Sequence, residues 1–163
     1  MITIEVKDDS VLAVLQKLVD GLDNMQPVMA DLAQALASES ERQFANESGP
    51  LGGWPDLSEY TTKVFRAKGG TWPGKMLQVS AGGLAASVQT AFGGDFARIS
   101  SNKPYSAIQQ FGGTTSPSSM IAGKTIPARP YLPFHPVTRE LSGPAQQTVL
   151  EILEGWIQSL AAR

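Results

Sequence analysis

The run from Ile126 to Phe134 contains three prolines in nine residues, and it constrains the fold more than any other stretch. Proline lacks a backbone donor and has a fixed φ, so the run cannot continue a helix. The residue before a proline is held in extended conformations, which applies to Ile126 and Arg129. We therefore predict a stiff, extended segment that has little conformational entropy left to lose when it binds a partner.

A short helix and a loose loop precede this run. The stretch from Pro104 to Phe111 is predicted to be a helix that ends at the Gly112-Gly113 pair, because paired glycines interrupt helices. From Gly113 to Lys124 the residues are mostly small and polar, which is typical of a flexible loop. Two interpretations stay open: the loop becomes ordered only against a partner, or it is merely disordered.

The rest of the chain shows helical and strand-like periodicity. Alternating apolar and polar residues predict a strand over 2–6 and a hairpin over 88–100, with Gly93-Gly94 as a tight two-residue turn. Apolar residues at three- and four-residue spacing predict three longer helices. These helices begin near Asp8-Asp9-Ser10 (ending near Gly21), near Asn24 and Pro27 (continuing to Phe44), and at Ser142-Gly143-Pro144.

These elements predict the α+β class, with a small antiparallel sheet packed by N-terminal helices and a C-terminal helix. The length of 163 residues fits a single domain with one core. Breaker-rich stretches indicate flexible loops within that domain, near 46–56, 66–75 and 112–125.

Net charge and cysteine content limit the classes of partner and the compartment that we expect for the protein. A net charge of −2 and a pI near 5.4 provide no bulk attraction to nucleic acid or to an anionic membrane, so we expect neither as a partner. The absence of cysteine excludes disulfides and thiolate chemistry and is compatible with a reducing cytoplasm. The N-terminal residues lack the basic start and apolar core of a signal peptide, which predicts a chain that is not exported.

Motifs for catalysis are missing. The single histidine, His135, has no cysteine or second histidine at metal-ligand spacing, so a structural or surface role is favoured. Gly82-Gly83 and Gly112-Gly113 are isolated pairs and lack the spacing of phosphate-binding loops. Any two of the fifteen acidic residues could form a catalytic carboxylate pair, but nothing in the sequence indicates which two. We therefore predict no enzymatic activity, no cofactor and no metal site.

Two side chains allow opposite interpretations. Trp54, set among glycines and prolines, either docks its ring on the core to hold its loop or stays exposed for a partner, and the first is favoured because an indole buries a large area. Arg129 presents a planar fork of donors between two prolines. That fork either bonds within its own subunit or makes a contact between subunits.

Four motifs occur in order between about residues 40 and 134 and carry a family resemblance. They are Ser48-Gly49-Pro50 with Gly53-Trp54, Ser80-Ala81-Gly82-Gly83-Leu84, Tyr105 to Gly113, and Ile126-Pro127-Ala128-Arg129-Pro130-Tyr131-Leu132. Together they resemble the phage virion morphogenesis family, the tail-completion proteins of Mu-type phages and prophages. Gln109 departs from the resemblance, since a histidine is expected to be frequent there.

The resemblance implies a non-enzymatic tail-completion protein that caps or completes the tail and enables head-tail joining. It implies a ring of copies of this chain, with six matching a tail tube, and contacts with the tail tube and with neck or head-completion proteins. The implied location is the host cytoplasm during assembly and then the tail-neck region of the virion. The residues that we assign to assembly contacts are Trp54, Tyr105, Gln109, Gln110, Phe111, Gly112, Gly113, Ile126, Pro127, Arg129, Pro130 and Tyr131.

Two other functions remain as alternatives. A head-closure or connector protein of the neck would use the same class of contacts at a different position in the virion. A DNA-contacting adaptor is favoured only if the basic residues converge on one face or line a channel. Those residues are Lys63, Arg66, Lys68, Lys75, Arg98 and Lys103.

Overall fold

The computed structural model describes residues 9–59, 61–63, 75–78 and 82–162 of the chain. The predicted strand over 2–6 lies outside the described residues, as does nearly all of the predicted loop over 66–75.

The three long helices of the sequence prediction are confirmed. They are α1 (Asp9–Leu22), α2 (Gln26–Asn46) and α4 (Gly143–Ala162), and the predicted short helix is α3 (Ser106–Phe111). A 3₁₀ turn spans Ala85–Ser87. Pro27 in the first turn of α2 removes no helical hydrogen bond, because the first N–H groups of a helix have no acceptor inside it.

The α+β class is confirmed, and the antiparallel strands form three ribbons of two strands each among the described residues. The longest ribbon pairs β3 (Val88–Phe92) with β4 (Ala97–Ser101). The two others are very short: β1 (Ser48–Gly49) pairs with β2 (Gly52–Gly53), and β5 (Gly113–Thr114) pairs with β6 (Thr125–Ile126).

The predicted two-residue turn of the β3–β4 hairpin is wrong. Phe92 pairs with Ala97, so four residues form the loop, and the N–H of Gly93 donates to the carbonyl of Phe96 at 2.9 Å. Neither glycine of the pair has a positive φ. The ring of Phe96 folds back close to Gly93 instead, because a Cβ on this glycine would lie 2.5 Å from it.

The core lies where α2 meets the hairpin and the proline-rich run. Phe44 near the end of α2 contacts Trp54 edge-on, with ring centroids 5.7 Å apart, and Tyr131 at 5.4 Å. Met76, Leu84 and Leu132 complete this buried cluster. Helix α2 also packs along α4, so it forms the centre of the fold.

None of the described helices is both long enough and apolar enough to cross a bilayer.

Candidate assembly site

The residues Arg129–Phe134, which we call the braced segment, pass through the core outside the three β-ribbons; the chain bends at Leu132 and Pro133, and Phe134 forms a single antiparallel bridge with Leu141. Arg129 to Pro133 are buried, and Phe134 is half-buried. Buried peptide groups must be hydrogen-bonded, and a strand would normally satisfy them through a neighbouring strand. Here every N–H from Arg129 to Phe134 and every carbonyl from Pro130 to Phe134 is bonded, mostly to side chains or loops.

Gln110 of α3 provides the bonds on one side of the segment. Its Oε1 accepts from the N–H groups of Tyr131 and Leu132, both at 3.0 Å, and its Nε2 donates to the carbonyl of Phe134 at 3.3 Å. The side chain is 1% exposed. A side-chain amide thus takes the place that a peptide group of a neighbouring strand would occupy.

Two polar residues on the buried face of α2 bond the carbonyls of the same segment. Ser40 Oγ donates to the carbonyl of Tyr131 at 2.6 Å. With its amide oriented to satisfy both groups, Gln43 Nε2 donates to the carbonyls of Tyr131 and Leu132 at 3.0 and 3.2 Å. The sequence analysis did not identify Ser40 or Gln43. The available signal was their spacing, because Ser40 lies four residues before Phe44 and Gln43 lies three residues after Ser40, on the same side of the helix.

Trp54 holds its loop against the braced segment, as the favoured interpretation predicted. Its Nε1 donates to the carbonyl of Pro130 at 2.8 Å, and its ring is buried against Phe44. The loop approaches so closely that a Cβ on Gly49 would lie 2.2 Å from the same carbonyl oxygen. Glycine at position 49 is therefore needed for the contact.

Arg129 bonds within its own chain. Its Nε donates to the carbonyl of Pro55 at 2.9 Å, and Nη2 donates to the carbonyl of Asp56 at 2.8 Å. Burial lowers the pKa of the Arg129 guanidinium, and the negative charge of Asp56 opposes that shift. The structure therefore shows the intrachain contacts of Arg129, the first of the two interpretations. The assembly role of the segment around Arg129 stays a prediction.

Tyr131 is the most enclosed aromatic residue of the segment, with 1% of its surface exposed. Burial raises the pKa of Tyr131, because the phenolate would lose its hydration, while the hydroxyls of Ser101 and Ser106 act in the opposite direction by hydrogen bonding. The side chain therefore links the segment to the end of β4 and the start of α3.

The glycines after α3 set the path back to the proline-rich run. Gly112 has φ +70°, and a Cβ there would lie 2.8 Å from the amide nitrogen of Ala128. Gly113, with φ +143°, pairs with Ile126 in the short β5–β6 ribbon. Pro127 follows this ribbon and is exposed. Other residues could not take this path without strain.

The remaining predicted assembly residues lie at the surface of α3. Tyr105 and Phe111 are each more than 40% exposed, and Phe111 packs against Phe134 with ring centroids 6.2 Å apart. Gln109 is partly buried, and its Oε1 is buried without a hydrogen-bond partner among the described residues. Its backbone carbonyl accepts from the N–H of Arg129 at 2.7 Å, which joins α3 to the braced segment.

The loop between β5 and β6 is closed at its base by Thr115. The N–H of Thr115 donates to the carbonyl of Lys124 at 2.9 Å, and the N–H of Lys124 donates to Thr115 Oγ1 at 3.0 Å. Beyond this base, Met120 is fully exposed and Ile121 is nearly half exposed. The loop thus presents apolar side chains at its tip, and whether it becomes ordered against a partner stays a prediction.

A polar cleft of about 590 Å³ lies between the end of α2 and the chain around His135. In it Glu39 is paired with Arg42 at 2.6 Å. His135 Nδ1 accepts from the N–H groups of Val137 and Thr138, both at 3.2 Å, so the ring holds a turn. Among the described residues, no group of three or more metal-ligating side chains is clustered here or elsewhere.

The basic residues proposed for a DNA-contacting surface are partly used in contacts within the chain. Lys63 pairs with Glu59 at 3.1 Å, and the guanidinium of Arg98 lies over the ring of Phe96 at 5.1 Å. Lys75 donates to the backbone carbonyl of Ala45. Arg66 and Lys68 lie outside the described residues.

A rigid, internally braced segment flanked by exposed aromatic and apolar side chains is typical of proteins that act by contacting other proteins. The chain belongs to the phage virion morphogenesis family, whose profile matches residues 6–158. The family-level prediction from the four ordered motifs is therefore confirmed.

Two curated relatives place the chain near Mu-like phages. It is 35% identical over 133 residues to the "Putative capsid assembly protein G" of Escherichia phage Mu, covering 77% of this chain and 83% of that protein. It is 34% identical over 120 residues to Mu-like prophage FluMu G protein 1 of Haemophilus influenzae, covering 72% of this chain and 71% of that protein. No solved structure matches the chain.

Proposed function

We propose that this protein is a non-enzymatic tail-completion protein that caps or completes the phage tail and enables head-tail joining. It works as a ring of identical subunits, with six matching a tail tube, and contacts the tail tube and the neck or head-completion proteins. It acts in the host cytoplasm during assembly and then resides in the tail-neck region of the virion. Membership of the virion morphogenesis family supports a role of this class.

The observation that carries the proposal is the use of the buried polar side chains. Each bonds backbone groups of its own chain, so the described polar interior serves to maintain shape and offers no convergent set of groups for chemistry. These residues are Ser40, Gln43, Ser87, Gln110, Arg129 and Ser142. Such bracing holds α3 against the braced segment, so less ordering free energy is lost there on assembly.

The assembly contacts in this proposal are made by the exposed side chains that the braced segment supports. Tyr105 and Phe111 provide aromatic surface, and the loop tip adds Met120 and Ile121. Aromatic residues and methionine are enriched at protein interfaces. The buried members of the predicted set, such as Arg129 and Tyr131, contribute by holding that surface and need no contact of their own with a neighbour.

The test is electron microscopy of lysates from a phage or prophage that lacks the gene, beside a complemented control. We expect filled heads that are not attached to tails, together with tails of abnormal length or without a finished end. Normal yields of infectious particles without the protein would refute the proposal. Tails of normal length with finished ends that join heads as in the control would refute it as well.

A second candidate function is head closure or a connector position in the neck. The phage Mu relative is named a putative capsid assembly protein, which favours a position on the head side. In the same lysates this function predicts heads that fail to retain DNA beside tails of normal length. The state of the heads therefore distinguishes the two candidates.

A further inference from the structure

Helix α1 is held to the rest of the described fold mainly by α4. The two helices approach closely at Gly21, where a Cβ would lie 2.2 Å from Cδ1 of Leu160. Glycine therefore allows the ends of the two helices to touch. Because one side of α1 packs on α4 and α2 contributes little, the adjacent faces of α1 remain open.

One open face of α1 is apolar along its whole length. Leu12, Leu15, Val19 and Leu22 are 51%, 51%, 52% and 56% exposed. Their spacings of three, four and three residues are those of the a and d positions of a heptad. We call these four residues the α1 seam, and a seam of this spacing fits another helix better than it fits a loop or a strand.

Helix α4 has a matching exposed stripe. Leu150 and Ile157, seven residues apart, are 53% and 48% exposed and lie beside the face that packs on α1 and α2. We call this pair the α4 stripe. Among the described residues, no part of the same chain covers the seam or the stripe.

At a contact between two copies, the seam of one copy and the stripe of the other together present on the order of 500 Å² of apolar surface, whereas a standard interface buries roughly 1,600 Å² in total, about two thirds of it apolar in homo-oligomers. The six side chains alone would therefore supply about half of the apolar part of such an interface. A patch of this size is about the largest that a typical monomer leaves open, and such patches are often functional. We propose that the α1 seam of one subunit packs on the α4 stripe of a second copy, an inference that rests on the proposed ring and names its contact.

The chemistry of the two helices favours a second copy over a lipid surface. Helix α4 has no basic residue, and Lys17 is the only one on α1, so neither helix has the cationic face that amphipathic helices use on anionic membranes. Because the seam and the stripe are different surfaces, their contact is heterologous. Repeated heterologous contacts generate a ring when the rotation closes.

The first test compares Val19→Glu with the matched control Ala13→Glu, which adds the same charge at an exposed position of α1 outside the seam, four residues before Lys17. We expect Val19→Glu to weaken association by about 100-fold or more, because a carboxylate would be buried at the contact, while the control assembles like wild type. Light scattering and analytical ultracentrifugation across a concentration series measure this. Unchanged circular dichroism and melting show that the monomer still folds.

The outcomes separate this inference from the proposed function. If Val19→Glu assembles like wild type, the seam is not the contact, although the ring stands. If wild type is monomeric at all concentrations, both the ring and the seam contact are refuted. Co-flotation of monomeric wild type with phosphatidylcholine–phosphatidylserine vesicles, lost in Val19→Glu, would identify a membrane face and would also overturn the inference.

A second test uses the absence of native cysteine. Leu15→Cys chains are mixed with Leu150→Cys or Ile157→Cys chains, which covers both relative directions of the helices. Because each chain has one cysteine, every disulfide must join two subunits. We expect mixed α1–α4 disulfides at a yield well above that of Leu15→Cys alone. Disulfides formed mainly between two Leu15→Cys chains, or no disulfide in assembled protein, would overturn the pairing of seam and stripe.

Discussion

Gln110→Met tests directly whether side chains replace a partner strand for the braced segment. Methionine has nearly the length of glutamine and fills the same space, so the substitution removes hydrogen bonds without opening a large cavity. The N–H groups of Tyr131 and Leu132 lose their acceptor, and the carbonyl of Phe134 loses a weaker donor at 3.3 Å.

The magnitude follows from the two buried donors. An unsatisfied buried donor costs about 1–3 kcal/mol, so we expect the free energy of unfolding to fall by about 3–5 kcal/mol. That loss is a large part of the roughly 5–15 kcal/mol that stabilises a typical domain. Gln147→Met is the matched control, because Gln147 bonds Glu151 at 2.9 Å on the exposed side of α4, a pair worth about 0.2–0.5 kcal/mol.

Urea unfolding followed by circular dichroism and tryptophan fluorescence measures both variants. We expect equal denaturant slopes and a clearly lower midpoint for Gln110→Met. A loss below about 1 kcal/mol would show that other groups can satisfy the segment, and the bracing argument would then be wrong.

Three further predictions concern the same segment. Trp54→Phe keeps an aromatic ring and removes the donor to Pro130, so unfolding free energy should fall by about 1–2 kcal/mol in the same assay; an unchanged value with weaker assembly would instead identify Trp54 as an interface residue. Arg129→Lys cannot form the two-pronged contact and should lose about 2 kcal/mol, and wild-type stability would contradict this. Burial of the neutral Tyr131 hydroxyl, which raises its pKa, contributes stability that is fully present below the ordinary tyrosine pKa of about 10 and is lost as pH rises through the folded-state pKa. Tyr131→Phe should therefore show a smaller alkaline decline in melting temperature than wild type, and an equal decline would contradict this.

The long helices were predictable because their apolar residues recur over many turns. The start of α2 at Gln26 and that of α4 at Gly143 agree with the proline and capping signals. The hairpin was predictable as an element, but its turn was not. The two glycines matched a tight turn, whereas the strands pair only as far as Phe92 and Ala97, which leaves a four-residue loop.

The bracing of the buried segment could not be predicted from local pattern. The prolines showed that Arg129–Phe134 has no backbone donor at Pro130 and Pro133 and cannot be helical, but not which groups would bond its other N–H and carbonyl groups. Those groups are far away in sequence: Ser40 is 91 residues from Tyr131, and Trp54 is 76 residues from Pro130. Whether Arg129 bonds within its own chain or to another subunit also depended on long-range contacts, because its acceptors are the carbonyls of Pro55 and Asp56.

The exposure of α1 was equally hidden. Its periodicity predicts an amphipathic helix, but an apolar stripe does not say whether its own chain covers it. Only the packing of Gly21 on Leu160 shows which side of α1 is used inside the subunit.

The complete bonding of the braced segment also protects the protein against aggregation. A strand with free N–H and carbonyl groups can recruit strands from other chains. Here the side chains of Gln110, Ser40, Gln43 and Trp54 occupy the positions at which a foreign strand would bind. The segment therefore does not act as a template for edge-to-edge pairing.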